Sequence, residues 1–196
     1  MMISRKEFEI LEAEIAKRSE ARVETESGST PASIVFLRER LAEVTDEADR
    51  KLLYTLMASA GSKASNSQLY LAILREKCEQ FPLDPIAYID LAFGIAQFDE
   101  HNKLESAKCA REAIVLAKNQ KRLVKYSATY AARVALLLDD YELLDHALAE
   151  LIRDSHTRHA EDTGLEFDFI DQIDARRLDG SILGEYLLLS GDVPRI

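Results

Sequence analysis

The chain has 196 residues, of which 47% are hydrophobic and 31% charged, with a formal net charge of −10 at pH 7. That length and apolar content suffice to bury a core, which excludes wholesale disorder, and the acidity argues against indiscriminate nucleic-acid binding. Seven glycines and four prolines give too little punctuation for a strand-rich fold, so helices are expected throughout.

The first thirty residues are densely charged from Ser4-Arg5-Lys6-Glu7 onward and contain no apolar stretch like a signal-peptide core. No apolar run approaches the roughly 18 residues of a membrane-spanning helix, since even Val134 to Leu138 stops at Asp139-Asp140. A cytoplasmic protein with no membrane contact is expected. Cys78 and Cys109 stand far apart inside apolar-periodic segments, without a CxxC pair or a histidine cluster, and read as buried free thiols.

Taken in chain order, residues 4 to 24 carry Phe8, Leu11 and Ile15 at helical spacing, opened by the S-x-x-E capping pattern of Ser4 and Glu7. Thr25 to Pro31 is a turn, with Thr30 as N-cap and Pro31 as first helical residue of a second helix that ends near Val44. Ile34, Leu37, Leu41 and Val44 form its apolar face. A spacing then repeats: Tyr54-x-x-Met57-Ala58-x-x-Gly61 returns 34 residues later as Tyr88-x-x-Leu91-Ala92-x-x-Ile95, just after Phe81-Pro82-Leu83-Asp84-Pro85. A third copy shows in Ala131-Ala132, Ala135, then Asp140-Tyr141, Leu144, Leu148 and Leu151, while Ser106, Ala110 and Ala113 supply small residues in the intervening helix.

These residues resemble the tetratricopeptide repeat, a 34-residue pair of antiparallel helices. The match lacks the family's first-position Trp and its Gly, and has Leu144 where Ala is usual. The resemblance implies an all-α protein, a right-handed superhelix of about three antiparallel hairpins at 46–82, 85–119 and 124–157. Residues 1–44 form an N-terminal cap or dimerisation element, 45–158 the hairpins, and 159–196 acidic capping helices, with Leu165, Phe169 and Ile173 on one apolar face and a last short helix from Ile182 to Leu189.

In this family the first helix of each hairpin lines the concave groove. Carried over by position, the groove set is Thr55, Ser59 and Lys63 in the first hairpin, Ile89, Phe93 and Gln97 in the second, and Tyr126, Thr129 and Arg133 in the third. A basic patch of Lys118, Lys121, Arg122 and Lys125 stands beside it, within a segment (101–133) holding eight bases and two acids. The expected function is non-catalytic: an adaptor or chaperone that holds a peptide or partner helix in the groove. Homodimerisation through the N-terminal helix is consistent with its apolar stripe.

Two other classes stay open. One is an acidic inhibitor or immunity-type protein using residues 161–196, with three bases and nine acids, against a basic partner. The other is an enzyme on a helical scaffold, its carboxylates drawn from Asp139, Asp140 and Asp145. No G-x-S-x-G elbow, phosphate loop or EF-hand series is present. His156-Thr157-Arg158-His159 lacks the spacing of H-E-x-x-H and reads as a surface connector, so neither metal, cofactor nor catalytic residue is expected.

Overall fold

The computed structural model describes residues 3–25 and 28–157, with isolated positions Ile173, Arg177, Gly180, Ile182, Gly184 and Glu185 beyond. Its described residues make an all-α protein of eight helices and one small hairpin. Helix α1 (Arg5–Arg18) leads through strands β1 (Arg22–Thr25) and β2 (Gly28–Pro31) to α2 (Ala32–Glu43), α3 (Glu47–Lys63) and α4 (Ser67–Gln80). Then come α5 (Pro85–Phe98), a single 3-10 turn (Glu100–Asn102), α6 (Lys103–Asn119), α7 (Val124–Leu138) and α8 (Tyr141–Thr157). Two compact units divide the chain between Gln80 and Phe81. The break falls inside the stretch read from sequence as one repeat array.

In the first unit the expected capping box forms: the Glu7 amide donates to Ser4 Oγ at 3.3 Å, and the Ser4 amide returns to Glu7 Oε2 at 2.8 Å. The sequence reading runs this helix to residue 24, but it ends at Arg18. Beyond Ser19 the alternation Arg22-Val23-Glu24-Thr25 places β-branched residues at every second position, and these pair antiparallel with Gly28–Pro31, Val23 opposite Thr30. Thr30 therefore belongs to a strand, Pro31 takes the N-cap position, and α2 starts at Ala32 without a side-chain cap. Ile34, Leu37 and Leu41 of α2 are buried as the 3.6 period requires.

Asp46 opens α3 by accepting from the Ala48 and Asp49 amides at 3.0 and 3.2 Å. Leu53, Tyr54 and Met57 of α3 meet Ile73 and Leu74 of α4 in a core that leaves each at most 1% exposed. The hairpin closes tightly at Gly61, where a β-carbon would stand 3.3 Å from the Tyr70 α-carbon.

In the second unit Asp84 caps α5 through the Ile86 amide (3.0 Å), with Pro85 first in the helix. Helix α5 packs on both α6 and α7, and α7 packs on α8. The small stripe Ser106, Ala110, Ala113 and Ala117 of α6 is fully buried, and Ser106 Oγ donates to the Ala92 carbonyl of α5 at 2.7 Å. Leu144, Leu148 and Leu151 of α8 cover Ala-rich α7, whose ends are both set by left-handed residues, Leu123 (φ 59°) and Asp139 (φ 59°). Asp140 then caps α8 through the Leu143 amide at 2.9 Å. Cys78 and Cys109 are buried free thiols. No described helix is long and apolar enough to cross a membrane.

Candidate functional site

The groove residues named from sequence separate by unit. In the first unit Thr55 is exposed and occupied locally: its Oγ1 donates to the Lys51 carbonyl at 3.0 Å and accepts from Lys77 Nζ at 3.2 Å. Lys77 is 2% exposed, so this hydroxyl helps solvate a buried ammonium. Ser59 and Lys63 line a cleft of about 510 Å³ together with Glu12 and Ile15 of α1 and Ser19 just after it. Across this cleft the N-terminal helix faces the side of α3 that the repeat register assigns to the groove.

In the second unit three of the six named residues come together. Phe93 of α5 meets Tyr130 of α7 edge-on, with ring centroids 6.3 Å apart at 83°. Tyr126, one turn earlier on α7, lies 4.7 Å from the same ring, tilted by 40°. The Arg133 guanidinium sits over Tyr130 at 4.9 Å from the ring centre. Edge-to-face and cation–π pairs each contribute about 0.5–1.5 kcal/mol beyond area burial, which favours this arrangement of the rings.

Tyr126 is 36% exposed, and Leu137, farther along α7, is 49% exposed. Tyr126, Tyr130, Arg133 and Leu137 follow i, i+4, i+7, i+11 and therefore share one face of the helix. Burial, then the charge of Asp90, then the neighbouring Tyr130 push the Tyr126 phenol up to about 12, so it is a neutral hydrogen-bonding group at physiological pH. Gln97 is exposed one turn beyond Phe93 on α5. Ile89 and Thr129 are 1% and 7% exposed and lie in the core. Tyr130, the centre of the cluster, was absent from the sequence-derived set: the repeat register pointed to Thr129, although the i, i+4 spacing from Tyr126 was readable.

The basic residues do not form one free patch. Lys118 Nζ is 2.7 Å from Glu150 Oε1, and Arg153 reaches the same oxygen. Burial would raise the Glu150 carboxyl, but hydrogen bonds from Lys118 and Arg153 and their charges outweigh it and hold the group below its ordinary value. Lys121 and Arg122 are exposed in the α6–α7 turn, Arg122 donating to Gln120 Oε1 at 2.7 Å, and Lys125 is half-buried.

Two of the three aspartates named as hidden carboxylates, Asp139 and Asp140, are engaged in contacts at the α7–α8 turn. Asp139 receives a two-pronged hydrogen bond from Arg177, whose guanidinium also lies 3.9 Å over the Tyr141 ring. Asp140 caps α8 and stands 3.5 Å from Arg111. Among the described residues no three His, Cys, Asp or Glu side chains are placed to share a metal ion. Apart from the isolated positions, residues 158–196, including Arg158 and His159, lie outside the described residues. No protein-family model, curated protein or solved structure matches this chain.

Proposed function

We propose that the chain is a non-catalytic protein-interaction module, an adaptor or chaperone, that holds a peptide or partner helix on the α5/α7 face of its second unit. The observation that carries this reading is the preassembled aromatic ledge of Phe93, Tyr126 and Tyr130, braced by Arg133 and continued by exposed Leu137. Aromatic side chains, with two χ angles, lose little conformational freedom on binding, and aromatic and arginine residues dominate the energetics of interfaces. A partner helix would lay apolar residues at i, i+3 or i+4 against the ledge, with Gln97 and the phenol of Tyr126 supplying polar contacts at its edge.

The finer fold reading belongs to the same proposal: the α3–α4, α5–α6 and α7–α8 hairpins are tetratricopeptide-like repeats of a right-handed superhelix. Support comes from the 34-residue spacing of Tyr54 and Tyr88 and from the packing of α5 on α7, first helix against first helix. The setting proposed is the cytoplasm, with a protein partner and neither nucleic acid nor cofactor.

Affinity capture from cell extract with the wild type and with Phe93→Asp plus Arg133→Glu tests the reading. Partners captured by the wild type are expected to be lost from the double variant while its helical circular dichroism is unchanged. An unchanged partner list from the folded variant sinks the proposal.

A further inference from the structure

The β1–β2 hairpin leaves an edge of β1 open, and the parity of its pairing says which groups lie there. Arg22 faces Pro31, Val23 faces Thr30, Glu24 faces Ser29 and Thr25 faces Gly28. In an antiparallel ladder, pairs that exchange main-chain hydrogen bonds alternate with pairs that exchange none. One step before Arg22, the Ala32 amide donates to the Ala21 carbonyl at 2.9 Å, so the bonding positions are Ala21/Ala32, Val23/Thr30 and Thr25/Gly28. Pro31, which has no N–H to give, falls at a non-bonding position, where none is needed. The N–H and C=O groups of Arg22 and Glu24 therefore point away from β2, along the free edge of β1. Among the described residues these groups take part in no other hydrogen bond.

The side chains of this edge are exposed. Arg22 and Glu24 stand in solvent, and Val23 is 40% exposed while Thr30, directly opposite on β2, is 9% exposed. The cover over Thr30 stops short of Val23, because among the described residues no strand lies beyond β1. An open edge of this kind is a template for another strand, and a two-stranded hairpin gains stability from further ones. Proteins commonly blunt such edges with Pro, Lys or a bulge. Arg22-Val23-Glu24-Thr25 contains neither residue, and its register with β2 is unbroken.

Parity and charge together select the occupant. A strand pairing antiparallel with β1 must set its own outward-pointing residues opposite Arg22 and Glu24. When that strand is β1 of a second copy, the register with Arg22 opposite Arg22 and the register with Glu24 opposite Glu24 both bring like charges together, which is destabilising. The register between them is centred on Val23. There Arg22 of each copy faces Glu24 of the other, and the two valines meet on the twofold axis. Opposite charges directly across a ladder are stabilising, and such a pairing closes on itself.

We propose that β1 is a self-complementary dimerisation edge that joins two copies of the chain into one antiparallel sheet, in the order β2–β1–β1–β2, with Arg22 opposite Glu24 and Val23 opposite Val23. Arg22 of each copy exchanges both main-chain bonds with Glu24 of the other, and the valines cover each other. The contact is small, so the dimer is of the transient class, half-formed at about 10–100 μM. It weakens with added salt, because exposed charges set its register. The inference concerns the first unit and stands independently of the α5/α7 reading.

Sedimentation velocity of the full chain from about 1 μM to about 1 mM tests it, the wild type passing from monomer to dimer over that range. Arg22→Glu makes the edge wholly acidic and Glu24→Arg makes it wholly basic. Each alone is expected to weaken self-association about tenfold or more. Mixed in equal amounts, the two variants are expected to pair as the wild type does, because every cross-strand pair again joins opposite charges. Glu24→Pro removes an outward N–H that the hairpin does not use, and is expected to abolish association with unchanged circular dichroism. Val23→Cys brings two thiols together on the axis, with Cα atoms about 4.5 Å apart, and is expected to give a disulfide-linked dimer on mild oxidation where Arg22→Cys does not. A wild type that stays monomeric to about 1 mM, a dimer untouched by Glu24→Pro and by either charge reversal, as one through α1 would be, or a mixture of the reversed variants that stays monomeric overturns the proposal.

Discussion

Glu150 of α8 is held by one base from α6 and one from its own helix. Its side chain is 4% exposed and shared by Lys118 of α6 and Arg153 of α8. Replacing it with Gln keeps an acceptor but removes the charge that both bases use, at an expected cost of about 1–2 kcal/mol at neutral pH. The sign of the pH effect follows from the lowered carboxyl: a group ionising below the ordinary 4.5 contributes its stability fully above that value and loses it as pH falls through the folded value. Urea midpoints of wild type and Glu150→Gln should therefore differ at neutral pH and converge as the pH falls through the lowered folded value, below the ordinary 4.5; a gap that persists in strong acid would contradict the pairing. Tyr54 makes a second case. Its hydroxyl donates to Glu76 Oε1 at 2.8 Å, and Arg38 grips the same carboxylate through both nitrogens at 2.8 and 3.2 Å. Tyr54→Phe should cost about 1–2 kcal/mol in chemical denaturation without altering helix content.

Among the elements, the α3–α4 hairpin depends on the closeness that Gly61 allows. A β-carbon there would lie 3.3 Å from Tyr70 Cα, 3.5 Å from Tyr70 N and 3.6 Å from Ile73 Cδ1. Two of the three neighbours are backbone, so the helices and not a pliable side chain must yield. Gly61→Leu is expected to destabilise by about 1–3 kcal/mol despite leucine's better helix propensity, read from the thermal midpoint. The element map also shows what was legible in sequence. Caps and apolar periods were: Ser4 with Glu7, Asp84 with Pro85, and Leu144, Leu148 and Leu151 all stand where their spacing placed them. The end of α1 was not, because charged residues such as Glu20, Arg22 and Glu24 continue a helical composition; what stops it is strand pairing with Gly28–Pro31, a contact invisible to a local window. The candidate surface was half legible. Phe93, Tyr126 and Arg133 were on the page, yet Tyr130 became visible as its centre only when α7 packed on α5 and showed which of two neighbouring faces was outward.

At the scale of the whole molecule the division between Gln80 and Phe81 has an energetic consequence. The 34-residue echo suggested one continuous array, since periodicity counts residues and carries no information about how densely successive hairpins touch. Contacts gather into two compact units. Met57 is fully buried in the first, and Ile114 fully buried in the second. Truncating either to Ala removes apolar atoms and leaves a cavity that surrounding helices refill only in part, for an expected cost of about 2–5 kcal/mol each. The two side chains belong to different contact clusters. The double variant should therefore lose the sum of the single losses to within about 0.5 kcal/mol. Chemical denaturation of the four proteins, with hydrogen exchange assigning each loss to helices α3–α4 or α5–α8, measures this. A double variant that deviates from the sum by 1 kcal/mol or more would show that the hairpins share energy across the boundary, as neighbouring repeats of a tightly coupled solenoid do.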